Sequence, residues 1–302
     1  MEKKPLVVVN GLVRKDAIAY LKEHVDVRQW TEKTVMPREV LKEWLIDADG
    51  LWCVRPLDVD GDLVKNAPNL KVIAQAAVGY DNVNIDELTA AGIPYGNTPG
   101  VLNETVAELA FTLIATASRR IIENANFVKD GRWAQRPSNI KGFDLSRRTL
   151  GIIGMGAIGV SISRRARAFG MTVVYHNRNQ RLDDKIHKTT YMELDDLLAT
   201  SDVVCVMAPL TDETYHMCDE AFFKKMKNTA LFVNVGRGPI VDTEALINAL
   251  NTGEIDYAAL DVTDPEPLPV DHPLLEVENC LIVPHIGSYT DRTRYDMSIL
   301  TA

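Results

Sequence analysis

The sequence predicts an α/β protein built from two doubly wound parallel-sheet domains. Three observations carry that prediction. Short apolar runs alternate with helical patterns along nearly the whole chain, as strands and helices do in sheets covered on both faces. The alternation closes near residue 98 and restarts near residue 149. The restart coincides with the stretch "TLGIIGMGAIG", Thr149 to Gly159, whose glycines are spaced G-x-G-x-x-G. The reading divides the chain into a first domain, 1–98 plus 290–302, and a second, 99–289.

In the first domain "LVVVNG", "VDVRQW", "DGLWCV", "KVIAQAAVG" and "GIPYGN" read as strands, with "RKDAIAYLKEH", "PREVLKEWLIDA" and "NIDELTAAG" as helices between them. The segment 103–131 reads as one long helix. Asn103 is its cap, Gly131 its stop, and Val106, Leu109, Ala110, Leu113, Ile114 and Ala117 keep helical spacing. From Thr149 onward, "TLGIIG", "TVVYHN", "VVCVMAP", "ALFVNVG", "YAALDV" and "LIVPHIG" make six strands. Helical patterns near 157–169, 193–199, 219–227 and 242–252 separate most of them. Six strands in two halves suit a dinucleotide domain.

The chain of 302 residues is 46% hydrophobic and 25% charged, as a globular protein with a sizeable core requires. A formal net charge of −9 argues against nucleic acid or an anionic membrane as the main partner. Cys53, Cys205, Cys218 and Cys280 are scattered without C-x-x-C pairing and read as free thiols of a reducing cytoplasm. No metal site is expected. Neither a signal peptide nor a membrane span is read from the sequence.

The glycine turn is preceded by apolar "LGIIG" and followed by the helical "AIGVSISRRARAFG". Gly154 would permit the tight turn, Gly156 the approach of a pyrophosphate, and Gly159 close packing of helix on strand. The helix N-terminus around Ala157 and Ile158 would offer free N–H groups to phosphate. NAD sites place an acid at the end of the next strand. Here the strand "TVVYHNRNQR" ends in Asn177 and Arg178, with Arg181 nearby and no carboxylate from Thr172 to Leu182. A guanidinium grips a 2′-phosphate where an acid repels it, so NADP(H) is the expected cofactor. The alternative is a solvated Arg178 and use of NAD(H).

Three polar residues follow apolar strands, where open α/β sheets bind ligands. Arg237 lies in "GRG" after "LFVNV", Glu266 in "LDVTDPEP", and His285 after "LIVP". Each alone reads as a surface ion pair or a structural histidine. Together they suggest a carboxylate binder, an orienting acid and a proton donor.

The ordered motifs "AVGYDNVNID", "NTPGVLNETVAELAF", "GIIGMGAIG", "NVGRGPIVDTEAL", "LDVTDPEP" and "PHIGS" resemble those of the D-isomer-specific 2-hydroxyacid dehydrogenase family. The Asn-Arg strand end is most similar to its glyoxylate/hydroxypyruvate reductases and the related 2-ketogluconate reductases. The resemblance implies a flavodoxin-like substrate domain and a Rossmann dinucleotide domain with the active site in the cleft between them. It implies reduction of a small 2-oxo acid by NADPH. Arg237 would hold the substrate's carboxylate and ketone, His285 would donate the proton, and Glu266 would orient His285 and favour its charged form. The backbone amides of Val78 and Gly79 would take the carboxylate, and Ser288 would line the substrate pocket. Asp261 would meet the nicotinamide carboxamide, with Gly287 near the ring. Val235 and Gly236 would flank the cofactor, and Ala208, Pro209 and Thr214 would border its adenine and ribose. The 103–131 region resembles the family's homodimer contact. Trp133 either enters the partner's cleft or packs within its own chain. Arg55 reads equally as a cleft residue and as a solvated charge.

Two departures stand out. The final stretch "SYTDRTRYDMSILTA" reads as the start of a helix that stops without a cap; either the chain is truncated or its first domain lacks the support that family members draw from a longer helix and tail. "GSYT" replaces the family's "GSAT", which places Tyr289 beside Ser288. Two rival readings keep the fold: an NAD-dependent enzyme for a bulkier acid, and a dinucleotide-sensing scaffold protein.

Overall fold

The computed structural model describes residues 4–54 and 57–302; Arg55 lies outside the described residues. The chain forms two compact units, residues 1–102 with 288–302, and residues 103–287.

The first unit alternates strand and helix: β1 (Leu6–Val9), α1 (Lys15–His24), β2 (Asp26–Gln29), α2 (Arg38–Leu45), β3 (Gly50–Cys53), α3 (Gly61–Val64), β4 (Val72–Gln75), α4 (Ile85–Ala90) and β5 (Tyr95–Gly96). The strands pair in the order β2-β1-β3-β4-β5, every pair parallel. This is the doubly wound order 2-1-3-4-5. Successive side chains on a strand face opposite sides, and the core divides accordingly. Val8, Leu51 and Cys53 pack on one face with Leu41, Leu45, Leu63 and Leu88. Val9 and Trp52 pack on the other with Ala17, Ile18 and Leu21 of α1.

The second unit opens with α5 (Asn103–Ser118) and α6 (Ile121–Lys129). There follow β6 (Thr149–Ile153), α7 (Ala157–Ala168), β7 (Thr172–His176), α8 (Asp184–His187), β8 (Thr190–Tyr191), α9 (Leu194–Thr200), β9 (Val203–Val206), α10 (Glu220–Lys225), β10 (Leu231–Asn234), α11 (Thr243–Thr252), β11 (Tyr257–Leu260) and β12 (Cys280–Ile282). The last helix, α12 (Asp291–Thr301), belongs to the first unit, where Ile299 packs against the cluster around Val9 and Trp52. The second sheet runs β12-β11-β10-β9-β6-β7-β8. It is the Rossmann order with a seventh strand added beside the sixth. Strands β6, β9, β10 and β11 are buried almost throughout, because helices cover both faces of a parallel sheet. Phe232, Val204 and Val206 face a core with Phe222, Phe223, Leu246 and Leu250. Their neighbours Leu231, Val233, Val203 and Cys205 face α5 and α7 through Leu113, Ile114 and Ile162.

The expectation of one helix over 103–131 is corrected. The helix breaks after Ser118, and Arg120 takes φ +51° at the start of α6. The Arg120 guanidinium lies 4.0 Å from the Tyr257 ring centroid and donates to Asp256 Oδ2 at 3.0 Å. Contacts to the start of β11 thus hold a left-handed residue where the local pattern favours continued helix. The second sheet also has one strand more than expected. Strand β8 contains two residues, too few to form an apolar run.

Candidate active site

The turn after β6 opens the site. Gly154 has φ +99°, and a Cβ there would stand 2.6 Å from the backbone of Met207 and Ala208. No L side chain fits both conditions. A Cβ on Gly156 would meet nothing within 4 Å, whereas one on Gly159 would lie 2.8 Å from the Gly154 carbonyl. Gly156 caps α7, whose first amides, those of Ala157, Ile158 and Gly159, sit where a helix lacks internal acceptors. An open glycine beside free amides and the positive end of a twelve-residue helix fits a dinucleotide pyrophosphate.

The end of β7 braces that turn. Asn177 Oδ1 accepts from the Met155 N–H at 2.6 Å. Arg181 donates to the Met155 carbonyl at 2.9 Å and forks onto Asp183 at 2.8 and 2.7 Å. This fork, joined by His187, holds the Asp183 carboxyl at about 2, so Asp183 stays charged near neutrality. Arg178 is exposed, and its field helps lower the Glu213 carboxyl, whose main stabiliser is the Thr211 hydroxyl. Sequence reasoning missed the capture of Arg181, because its partner stands one residue beyond the window searched for acids. On the neighbouring loop Thr214 donates to the Pro209 carbonyl at 2.7 Å and accepts from the Thr211 N–H at 2.8 Å. That fixes the segment running from the buried Ala208.

The three chemical residues come from the C-terminal ends of β10, β11 and β12, adjacent strands of one sheet. Arg237 rides on a turn organised by Asn234, a fully buried residue that the sequence reading passed over. Asn234 donates to the Arg237 carbonyl at 2.9 Å and accepts from the Gly236 N–H at 3.0 Å. Val235, just before, is buried. A Cβ on Gly238 would lie 1.8 Å from the Thr263 carbonyl, so the Arg237 turn lies directly against the loop that leads to Glu266. That contact demands glycine. The Arg237 guanidinium itself donates to the Gly236 carbonyl at 2.8 Å.

His285 Nδ1 lies 2.6 Å from Glu266 Oε1, and each side chain is 42% exposed. A neutral ring bonded to a carboxylate this way donates from Nδ1 and leaves Nε2 facing outward. His285 takes φ +50°. Asp261, almost fully buried, holds this conformation: its oxygens accept from the amides of Ile286 at 2.6 Å and Gly287 at 2.9 Å, while its carbonyl accepts from the His285 N–H at 2.9 Å. Burial pushes the Asp261 carboxyl above its ordinary value, against those two amides and the nearby imidazole. Asp261 is therefore a support of the histidine loop, a role its expected cofactor contact did not foretell.

In the first unit Val78 and Gly79 lie in the loop after β4, and Ser288 leads through Thr290 into α12, where the Thr290 N–H donates to the Ser288 carbonyl at 3.0 Å. Tyr289 beside it is 70% exposed and carries Arg294 over its ring. Trp133, on the one-turn segment Arg132–Ala134, is 66% exposed. Among the described residues no group of His, Cys, Asp and Glu could hold a metal, and no helix is long and apolar enough to cross a membrane.

Comparison with known proteins agrees with this architecture. Residues 111–287 match the family model for the NAD binding domain of D-isomer specific 2-hydroxyacid dehydrogenases. A glyoxylate reductase of Korarchaeum cryptofilum is 41% identical over 99% of this chain and 91% of its own. A glyoxylate/hydroxypyruvate reductase B of Escherichia coli is 42% identical over 98% of this chain and 92% of its own. The crystal structure of an NADPH-dependent glyoxylate/hydroxypyruvate reductase from Sinorhizobium meliloti, in complex with NADP and malonate, superimposes with a TM-score of 0.90 at 30% identity, covering 99% and 92% of the two chains. On the family match, the near full-length relatives and the shared fold, the chain belongs to the D-isomer-specific 2-hydroxyacid dehydrogenases, a family of NAD(P)-dependent oxidoreductases.

Proposed function

We propose that the protein reduces a small 2-oxo acid, glyoxylate or hydroxypyruvate, to the D-2-hydroxy acid with NADPH. The observation that carries this reading is the 2.6 Å pair of His285 and Glu266 on the strand edge that also carries Arg237. The names of relatives at 41% and 42% identity support the substrate class.

The bound nicotinamide supplies the hydride. Arg237 binds the carboxylate and the ketone oxygen through its fork of donors. His285, charged and held through Nδ1 by Glu266, passes the Nε2 proton to the oxygen as negative charge develops there. Asp261 keeps the His285 backbone fixed, so the ring meets the substrate without reorganising. The amides of Val78 and Gly79 bind the carboxylate.

Preference for NADPH rests on Arg178, which is exposed at the end of β7 with no acid before Asp183. The competing reading, NADH with a bulkier acid, draws on Asp183, whose charge neutralises Arg181. The free thiols fit a cytoplasmic enzyme. A homodimer through the 103–131 region is part of this proposal: Ile121, Ile122 and Val128, with Trp133 just past it, form an exposed apolar surface of the kind that partners cover.

The test follows loss of reduced-nicotinamide absorbance with NADPH or NADH and each of glyoxylate, hydroxypyruvate, pyruvate and 2-ketogluconate. Turnover of the two small acids with NADPH is expected. No turnover with any pair would remove the enzyme reading.

A further inference from the structure

The loop after β4 is held by a set of amide side chains that the mechanism above does not use. Asn97, half-buried, donates from Nδ2 to the Val78 carbonyl at 2.9 Å. The next residue, Thr98, donates its backbone N–H to the Ala77 carbonyl at 2.9 Å. Gln75, 1% exposed, donates to the Gly79 carbonyl at 3.2 Å and to Asn82 Oδ1 at 3.3 Å. Asn82 returns a bond to Gln75 Oε1 at 3.1 Å and spends its other donor on the Leu57 carbonyl at 2.6 Å. Both amide side chains thus use both donors, which is how buried amides are retained at low cost.

A trans peptide points its N–H opposite to the carbonyl of the same plane. The carbonyl of Ala77 shares its plane with the N–H of Val78, and the carbonyl of Val78 with the N–H of Gly79. Both carbonyls are held from one side, by residues 97 and 98. Both N–H groups therefore face the other side, and among the described residues neither has a partner. Two adjacent amides fixed in one direction form an anion-binding concavity.

We infer that Asn97 is a positioning residue for the substrate carboxylate: it holds the carbonyl of Val78, beside the bond of the Thr98 N–H to the Ala77 carbonyl, so that the amides of Gly79 and Val78 are aimed before the anion arrives. The inference rests on the reading that these amides bind the 2-oxo acid. Without Asn97 the Val78–Gly79 peptide is free to rotate, and binding must then order it.

The test uses the whole 302-residue chain, saturated with NADPH for kinetics and with NADP for binding. Asn97→Ala removes the clamp on the Val78 carbonyl at a half-exposed loop. This variant is expected to raise KM for glyoxylate and Ki for oxamate, a carboxylate that is not reduced, by about tenfold. The kcat and the Kd for NADPH should stay within about twofold of the parent, which a general loss of structure would not spare. KM and Ki unchanged in Asn97→Ala would overturn the inference. Amide NMR of the parent with oxamate separates the two ideas. Shifts at Val78 and Gly79 with an unaffected Asn97→Ala leave the reading and remove the inference; no shift at either amide removes both.

Discussion

His285 and Glu266 show how a residue's role follows from its support. The imidazole is half-exposed, yet its ring is fixed by a 2.6 Å bond to a carboxylate and its loop by three bonds to Asp261, from the amides of His285, Ile286 and Gly287. Among the described residues Arg178 has no such support, as the NADPH proposal requires of a residue kept for a charged ligand. Its neighbour Arg181 is already committed to Asp183 and Met155. In the proposed reading, discrimination of the 2′-phosphate therefore falls on Arg178. Arg178→Asp is expected to raise KM for NADPH by about a hundredfold and KM for NADH by less than about threefold. Steady-state titration of each coenzyme measures both values, and equal losses for the two would reassign Arg178 to the surface.

At the level of elements, the turn after β10 and the loop after β11 behave as one piece. Gly238 makes that possible, since a Cβ would sit 1.8 Å from the Thr263 carbonyl. Gly238→Ala is expected to cost about 3 kcal/mol and to lower the melting temperature and kcat together, because it parts the loops that carry Arg237 and Glu266. Calorimetry beside a glyoxylate assay checks this; a stable variant that has lost only activity would contradict it. Elements were legible where their information is local. Strands β9 and β11 are unbroken apolar runs, and β10 is one up to Asn234, because helices cover both faces, and the glycine turn declares itself by spacing. The break at Arg120 was not legible: its cause is Tyr257 and Asp256, far along the chain. Helices α3 and α8, four residues each, are too short to show a period.

For the whole molecule, the ordered motifs identified the family and the type of each sheet, while the supporting contacts lay beyond the reach of sequence. The "VNVG" stretch gives no sign that Asn234 is buried and holds the Arg237 turn, nor does "YGNTPG" reveal that Asn97 reaches Val78. The first are turn bonds over two or three residues and the second spans nineteen; no periodicity specifies either set of partners. The buried cysteines set a property of the folded chain. Burial pushes Cys205 up to about 12 and Cys218 higher still. An unfolded thiol titrates near ~8.5. Since the folded values are raised, their contribution to stability is complete below about pH 8.5 and is lost as pH climbs toward about 12. Denaturant midpoints between pH 7 and pH 10 are expected to fall, and a disulfide-exchange reagent at pH 8 should leave both thiols untouched until unfolding. Rapid native labelling of either would refute the assignment.

The proposal turns most on His285 as the proton donor. The decisive measurement is kcat for glyoxylate reduction by His285→Ala, taken beside the Kd for NADPH by fluorescence. The account predicts a fall in kcat of about 10² to 10⁴ with Kd unchanged within about twofold. A kcat within about threefold of the parent would show that the proton comes from elsewhere.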